Sequence, residues 1–171
     1  MEIPHQTTAC FILAALYSVY SYFAEYLKTV TGMDGKTVSL MLVLFGASGI
    51  VGNLHTAKFL SKNMVNTTML YPIVFVGIYL LIFCLGGYFI PMIAIVLVWG
   101  AVFTGGLITS QTWLTSEARE APEFANSLFV SFANLGVTLG TVLGGWFLSH
   151  MGAQQISWSG ILFLLIAFFV Y

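Results

Sequence analysis

Polar residues in this chain fall in short clusters, and the apolar stretches between them are each about as long as a bilayer is thick. Six such stretches can be marked, at 8–27, 38–59, 67–88, 89–113, 124–148 and 156–171. A hydrocarbon core of roughly 30 Å is crossed by about 20 helical residues rising 1.5 Å each. Lipid offers no water to bond a bare backbone, so an apolar run of that length is expected to be helical. The pattern predicts an all-α membrane fold of six transmembrane helices, one domain over 1–171 with no soluble part. The connections are brief: a polar turn from Thr29 to Lys36, a loop through Asn63 and Asn66, and a tight return at Gly86-Gly87. A charge cluster of Glu117, Arg119, Glu120 and Glu123 follows the fourth stretch, and residues His150 to Gln155 precede the sixth. Pro72 is placed in the first turns of the third stretch, where its missing N–H costs little. The sixth stretch ends without a charged flank, which reads as a chain cut at or inside a helix.

Composition narrows the function classes. Of 171 residues, 59% are hydrophobic and 6% charged, against about 25% charged in a soluble domain. A formal net charge of −1 argues against nucleic acid or an anionic surface as partner. Cys10 and Cys84 lie in apolar segments without metal-ligand spacing and read as buried free thiols. No HExxH, GxSxG or phosphate loop is present, so neither an enzyme, a cofactor nor a metal is expected. The Asn66-Thr67-Thr68 sequon is too common a triplet to weigh. The N-terminus lacks the basic lead and cleavage site of a signal peptide, so the first span serves as its own insertion signal. Lys58, Lys62 and Arg119 fall on the side of the termini against Lys28 and Lys36 on the other. The positive-inside rule then places both termini in the cytoplasm.

Within the spans a few residues stand out. Gly136, Gly140 and Gly144 are four apart, a doubled GxxxG that would pack the fifth span closely against a neighbour. Asn134, Thr138 and Thr141 fall roughly opposite that stripe and should face a partner helix or a water-filled cavity. Gly46, Gly49 and Gly52 form a related packing pattern in the second span. Ser18, Tyr22 and Glu25, at i, i+4 and i+7, share one face of the first span. Glu25 is a candidate proton-titrating group, or else an interfacial partner of Lys28 at i+3. Gln111, on a stripe with Thr104 and Ile108, carries donors and an acceptor suited to a polar solute. Trp113, Trp146 and Trp158 near segment ends read as interfacial belt residues, and His55 as a rim residue.

Four passages resemble the C-terminal half, helices seven to twelve, of a major facilitator superfamily transporter, in the bacterial branch that exports sugars and drugs. They are Tyr20-Ser-Tyr-Phe-Ala-Glu-Tyr-Leu27, Leu44-Phe-Gly-Ala-Ser-Gly-Ile-Val-Gly-Asn53, Gln111, and Asn126-Ser-Leu-Phe-Val-Ser-Phe-Ala-Asn-Leu-Gly136 with its further glycines. The loop Ala57-Lys58-Phe-Leu-Ser61-Lys62 is similar to the family's gating signature but lacks its acid. The resemblance implies a proton-coupled efflux permease in the inner membrane. Its solute site would lie between two six-helix halves that rock against each other. Spans 1, 2, 4 and 5 would line the path, with Tyr22, Gln111, Asn134 and Thr138 as solute contacts, while spans 3 and 6 face lipid.

The implied partners are the lipid bilayer, a small-molecule solute, and a missing N-terminal six-helix half or a self-pairing copy. Two other readings remain open: a non-transporting membrane protein that binds another permease through the glycine face of span 5, and a nonfunctional remnant.

Overall fold

The computed structural model describes residues 3–62, 64–117 and 122–170, with side chains at 7–58, 70–109, 111, 123–124 and 126–170. Lys62, Asn63, Asn66 with its sequon, Trp113, Glu117, Arg119 and Glu120 lie outside the described side chains. The described residues form helices α1 (Ile3–Tyr20), α2 (Phe23–Thr29), α3 (Gly35–Lys62), α4 (Met64–Leu85), α5 (Phe89–Glu117), α6 (Pro122–Met151) and α7 (Ile156–Val170). A 3-10 turn at Ala153–Gln155 leads into α7. Among the described residues five stretches are long and apolar enough to cross a membrane: Thr7–Thr29, Gly35–Lys58, Phe89–Thr109, Asn126–Met151 and Ala153–Val170. Leu70–Leu85 within α4 is a shorter apolar helix. The protein is an all-α, multi-pass membrane protein.

Backbone-to-backbone contact between parallel helices organises the bundle. A Cβ on Gly136, Gly140 or Gly144 of α6 would collide with the carbonyl oxygens of Cys10, Ala14 and Ser18 of α1 respectively. Both sets advance in steps of four in the same direction, so the two helices run parallel and in register. Helices in lipid have no hydrophobic drive to associate, and close approach through small residues supplies the dispersion contact instead. The pair α3 and α5 is built likewise: a Cβ on Gly52 would strike the Ala101 backbone, and one on Gly49 would lie 2.5 Å from Thr104 Oγ1. Gly46 differs. A Cβ there meets nothing within 4 Å among the described residues.

α1 is the most enclosed element, with Ala14, Ala15, Leu16 and Ser18 all at 0% exposure. Beyond its α6 face, α7 covers it through Phe11 and Phe163, whose rings stack at 6.4 Å. Buried Tyr79 of α4 reaches it with a hydroxyl that donates to the Ala15 carbonyl at 2.9 Å. By contrast, α3 buries only one side. Val43, Ile50, Val51 and Leu54 remain exposed, as suits a face against lipid or another lobe.

Three expectations are corrected. The first span is two helices: Tyr22 has φ −113° and ψ 13°, and its N–H bonds the Val19 carbonyl at 3.2 Å instead of continuing the i−4 ladder. Ser18, Tyr22 and Glu25 therefore do not share a helical face; Ser18 is buried, Tyr22 half-buried and Glu25 exposed. Pro72 lies inside α4 because the helix begins at Met64. It leaves the carbonyl four residues earlier without its ladder bond. Cys10 is buried as read, but Cys84 is exposed, on an outer face of α4 shared with Leu80, Leu81 and Leu85.

Candidate functional site

α6 carries two opposed faces. Its glycines are consumed by α1, and on the other side Ser127, Ser131, Asn134 and Thr138 are exposed. With half-buried Thr141 they are spaced by four, three, four and three residues, which puts them on one stripe along the helix. Serine and threonine hydroxyls here turn back onto their own helix. Ser131 donates to the Ser127 carbonyl at 3.0 Å and Thr138 to the Asn134 carbonyl at 2.8 Å. Each such hydroxyl satisfies its donor locally and keeps its oxygen as an acceptor for a visiting group.

The broken first span meets the end of that stripe. Ser21 Oγ lies 3.1 Å from Thr141 Oγ1, and the Tyr22 hydroxyl donates to the Thr141 carbonyl at 2.8 Å. Gly145 makes room for it: a Cβ there would sit 2.5 Å from the Tyr22 hydroxyl oxygen. Non-helical backbone at membrane depth is tolerated where protein buries it or it lines a cavity. The Ser21–Tyr22 joint satisfies that rule through α6.

Beside the joint stands an aromatic wall. Tyr20 packs on Phe103 at 5.0 Å and on Phe45 at 5.1 Å, while Tyr17 meets Phe103 edge-on at 5.7 Å. Behind them Trp99, fully buried, packs edge-on to Phe23 at 4.8 Å. Among the described residues its indole N–H finds no hydrogen-bond acceptor. Tyr17 and Tyr20 are only half-buried, and their rings meet at 89° and 6.1 Å. With exposed Ser21 just beyond the helix end, they form an open strip at the end of α1.

Of the residues marked from sequence, Tyr22, Asn134 and Thr138 are brought to one stripe and its upper end. Gln111 is exposed on α5, one turn beyond half-buried Leu107. Glu25 lies outside the group, exposed in the first turn of α2. All described charged side chains, Glu25, Lys28, Asp34, Lys36, Lys58 and Glu123, are exposed; none is held within the bundle. Trp146 stacks on His150 at 4.9 Å and Trp158 meets Phe83 edge-on at 5.5 Å, both near helix ends. Tyr17, Tyr20, Ser127 and Ser131 were missed by sequence reasoning. The dense run Tyr17-Ser-Val-Tyr-Ser-Tyr-Phe23 and the serines preceding Asn134 at helical spacing were the available signals.

No family model matches the chain. It is similar to transporters named for efflux: 23% identical over 152 residues to a probable sugar efflux transporter of Pasteurella multocida, and 25% identical over 158 residues to the purine ribonucleoside efflux pump NepI of Escherichia coli. Those matches cover 89% and 92% of this chain but 38% and 40% of the relatives. A transcription regulatory protein, OpdE, of Pseudomonas aeruginosa is 33% identical over 156 residues, 90% of this chain and 38% of that protein. The chain thus spans about two fifths of the length of the curated relatives it matches. By sequence similarity the chain resembles part of transporters named for efflux. The two efflux relatives are transporters, not enzymes.

Proposed function

We propose that the chain forms one lobe of a two-lobe major facilitator efflux permease, the counterpart of helices seven to twelve, which exports a small uncharged solute of the sugar or nucleoside kind. The observation that carries this is the exposed stripe of Ser127, Ser131, Asn134 and Thr138 on α6. Amides and hydroxyls at that depth are costly against lipid and belong beside a water-filled path or a facing lobe. Hydroxyls and amides offer hydrogen bonds to a hydroxylated solute, and the Tyr17–Tyr20 corner offers ring faces to its apolar side. In this reading α1, α3, α5 and α6 line the path while α4 and α7 lie outward. The lobe sits in the inner membrane with its termini cytoplasmic, and the second lobe is supplied from outside these 171 residues. In a reconstituted two-lobe assembly, Gln111→Ala and Asn134→Ala should each slow proton-gradient-dependent export with unchanged membrane levels. Unaltered export in both removes them from the path.

The relative named a transcription regulatory protein favours a second reading, a membrane protein that acts on a partner without transporting. Docking through the glycine face of α6 is not open to it, because α1 already occupies that face. Such a protein would have to use the polar stripe or α3, and it would show no flux with any second lobe.

A further inference from the structure

The open strip at the end of α1 lies between two helices. Ser21 reaches α6 at Thr141, while the Tyr17 and Tyr20 rings reach α5 at Phe103. α1 and α6 run parallel. One turn back from the Ser21–Thr141 contact therefore brings Tyr17 on α1 and Thr138 on α6 to the same level. The rings of the strip are fixed from behind. Phe45 and Phe103, 6% and 5% exposed, hold Tyr20 at 5.1 and 5.0 Å, and fully buried Trp99 stands edge-on to Phe45 at 5.2 Å. A ring whose position is set before a ligand arrives loses little freedom on binding. The polar side of the site has its own bias. Ser131 and Thr138 spend their hydroxyl protons on their own helix, so their oxygens remain as acceptors and suit a ligand that brings donors. Exposed Asn134, between them on the stripe, adds an amide.

We infer that strip and stripe together select a nucleoside: its planar heterocycle lies on the Tyr17 and Tyr20 rings, and its ribose hydroxyls donate to Thr138 and Asn134. The inference rests on the solute-path reading above and chooses among the solutes that reading allows. A free sugar supplies the hydroxyl donors but no flat face, and it leaves both rings without a stacking partner. A base on an aromatic ring gains from stacking whatever the base, because every base has a π-face. A nucleotide supplies both parts and adds a phosphate. Among the described residues no Lys or Arg is held within the bundle, and a phosphate stripped of water without a cation is costly. The ligand class is thus uncharged and bipartite, flat at one end and hydroxylated at the other.

Binding to the full chain in lipid nanodiscs tests this without a second lobe, since every residue named belongs to this chain. Saturation-transfer NMR with adenosine, ribose and adenosine monophosphate as probes, corrected with empty nanodiscs, reads both affinity and the protons in contact. Adenosine should bind at least about fivefold more tightly than ribose, the lower end for stacking one base on one ring. Adenosine monophosphate should bind more weakly than adenosine. Tyr17→Leu and Tyr20→Leu should each cut the adenosine-to-ribose ratio about three- to tenfold, while Tyr17→Phe, which keeps the ring, stays within about twofold. That ratio is internal to each preparation, so a partly misfolded variant does not distort it. Ribose or the monophosphate binding as tightly as adenosine would overturn the inference. So would adenosine binding no better than to empty discs, or a ratio unmoved in both leucine variants. Flux separates the two readings: adenosine bound but never exported with any second lobe defeats the two-lobe reading alone, and sugar export without preferential adenosine binding defeats this inference alone.

Discussion

Gly140 and Ala14 meet backbone against backbone, at the middle of the in-register contact between α6 and α1. A Cβ on Gly140 would lie 2.9 Å from both the carbonyl carbon and the Cα of Ala14, and closer still to its oxygen. Neither is the free end of a flexible side chain, so nothing nearby can yield without moving a helix. Gly140→Ala should destabilise the lobe by about 1–3 kcal/mol, the range for overpacking a tight core. Gly46→Ala, into open space, should be neutral or stabilising by up to about 1 kcal/mol through helix propensity. Denaturant titration in mixed micelles separates them, and equal effects at the two sites would contradict the packing described.

Tyr79 divides its contribution between a ring and a hydroxyl. The ring packs on Phe75 at 6.0 Å and on Trp99 at 6.2 Å; the hydroxyl bonds Ala15. Tyr79→Phe should cost about 1 kcal/mol, the net value of one hydrogen bond. Tyr79→Ala should cost about 3–5 kcal/mol, as for other large aromatic truncations. The same micelle titration measures both, and a larger loss for Phe than for Ala would refute the assignment.

The start of α3 carries a pH dependence. Asp34 accepts the Thr37 N–H at 3.2 Å and the Thr37 hydroxyl, the bonds of an N-cap. These bonds, led by the Thr37 hydroxyl, hold its carboxyl below the ordinary value of 3.8. A lowered folded pKa means the contribution is fully present above the unfolded value and is lost as pH falls through the folded one. The Thr37 hydroxyl and amide proton signals should therefore be steady from neutral pH to about 5 and then shift with a midpoint below 3.8, moving with the carboxylate. In Asp34→Asn that acid transition should vanish. Its persistence would assign the transition to another group.

Tyr20 presents a half-buried ring whose other contacts are already set by Phe45 and Phe103. If that ring faces solute, Tyr20→Leu in a two-lobe assembly should raise the apparent KM about three- to tenfold, from a stacking contribution of about 0.5–1.5 kcal/mol. Tyr20→Phe should stay within about twofold of the parent. A change in kcat alone, with KM unmoved, would argue for a purely structural ring.

The class of this protein was legible from run length alone, because lipid imposes a helix on any apolar stretch of about 20 residues. The α6 faces were also readable, since glycines four apart and polar residues opposite follow directly from 3.6-residue periodicity. The break at Ser21–Tyr22 was not. Nothing local forbids a helix there, and the turn exists because a distant segment, Thr141 to Gly145, offers a carbonyl and a notch for Tyr22. The same holds for Gly46, whose spacing matches Gly49 and Gly52 while its direction does not. Side-chain direction in a bundle is decided by neighbours that one helix's sequence does not name.

The most direct measurement is solute flux in proteoliposomes under an imposed proton gradient, with the 171-residue chain alone and then with a second six-helix lobe from an efflux relative. On the proposed two-lobe reading the chain supplies one wall of a path, which predicts background flux from the chain alone and gradient-dependent export of a sugar or nucleoside once the second lobe is added. Export by the purified monomer unaided, or no export with any second lobe, would contradict it.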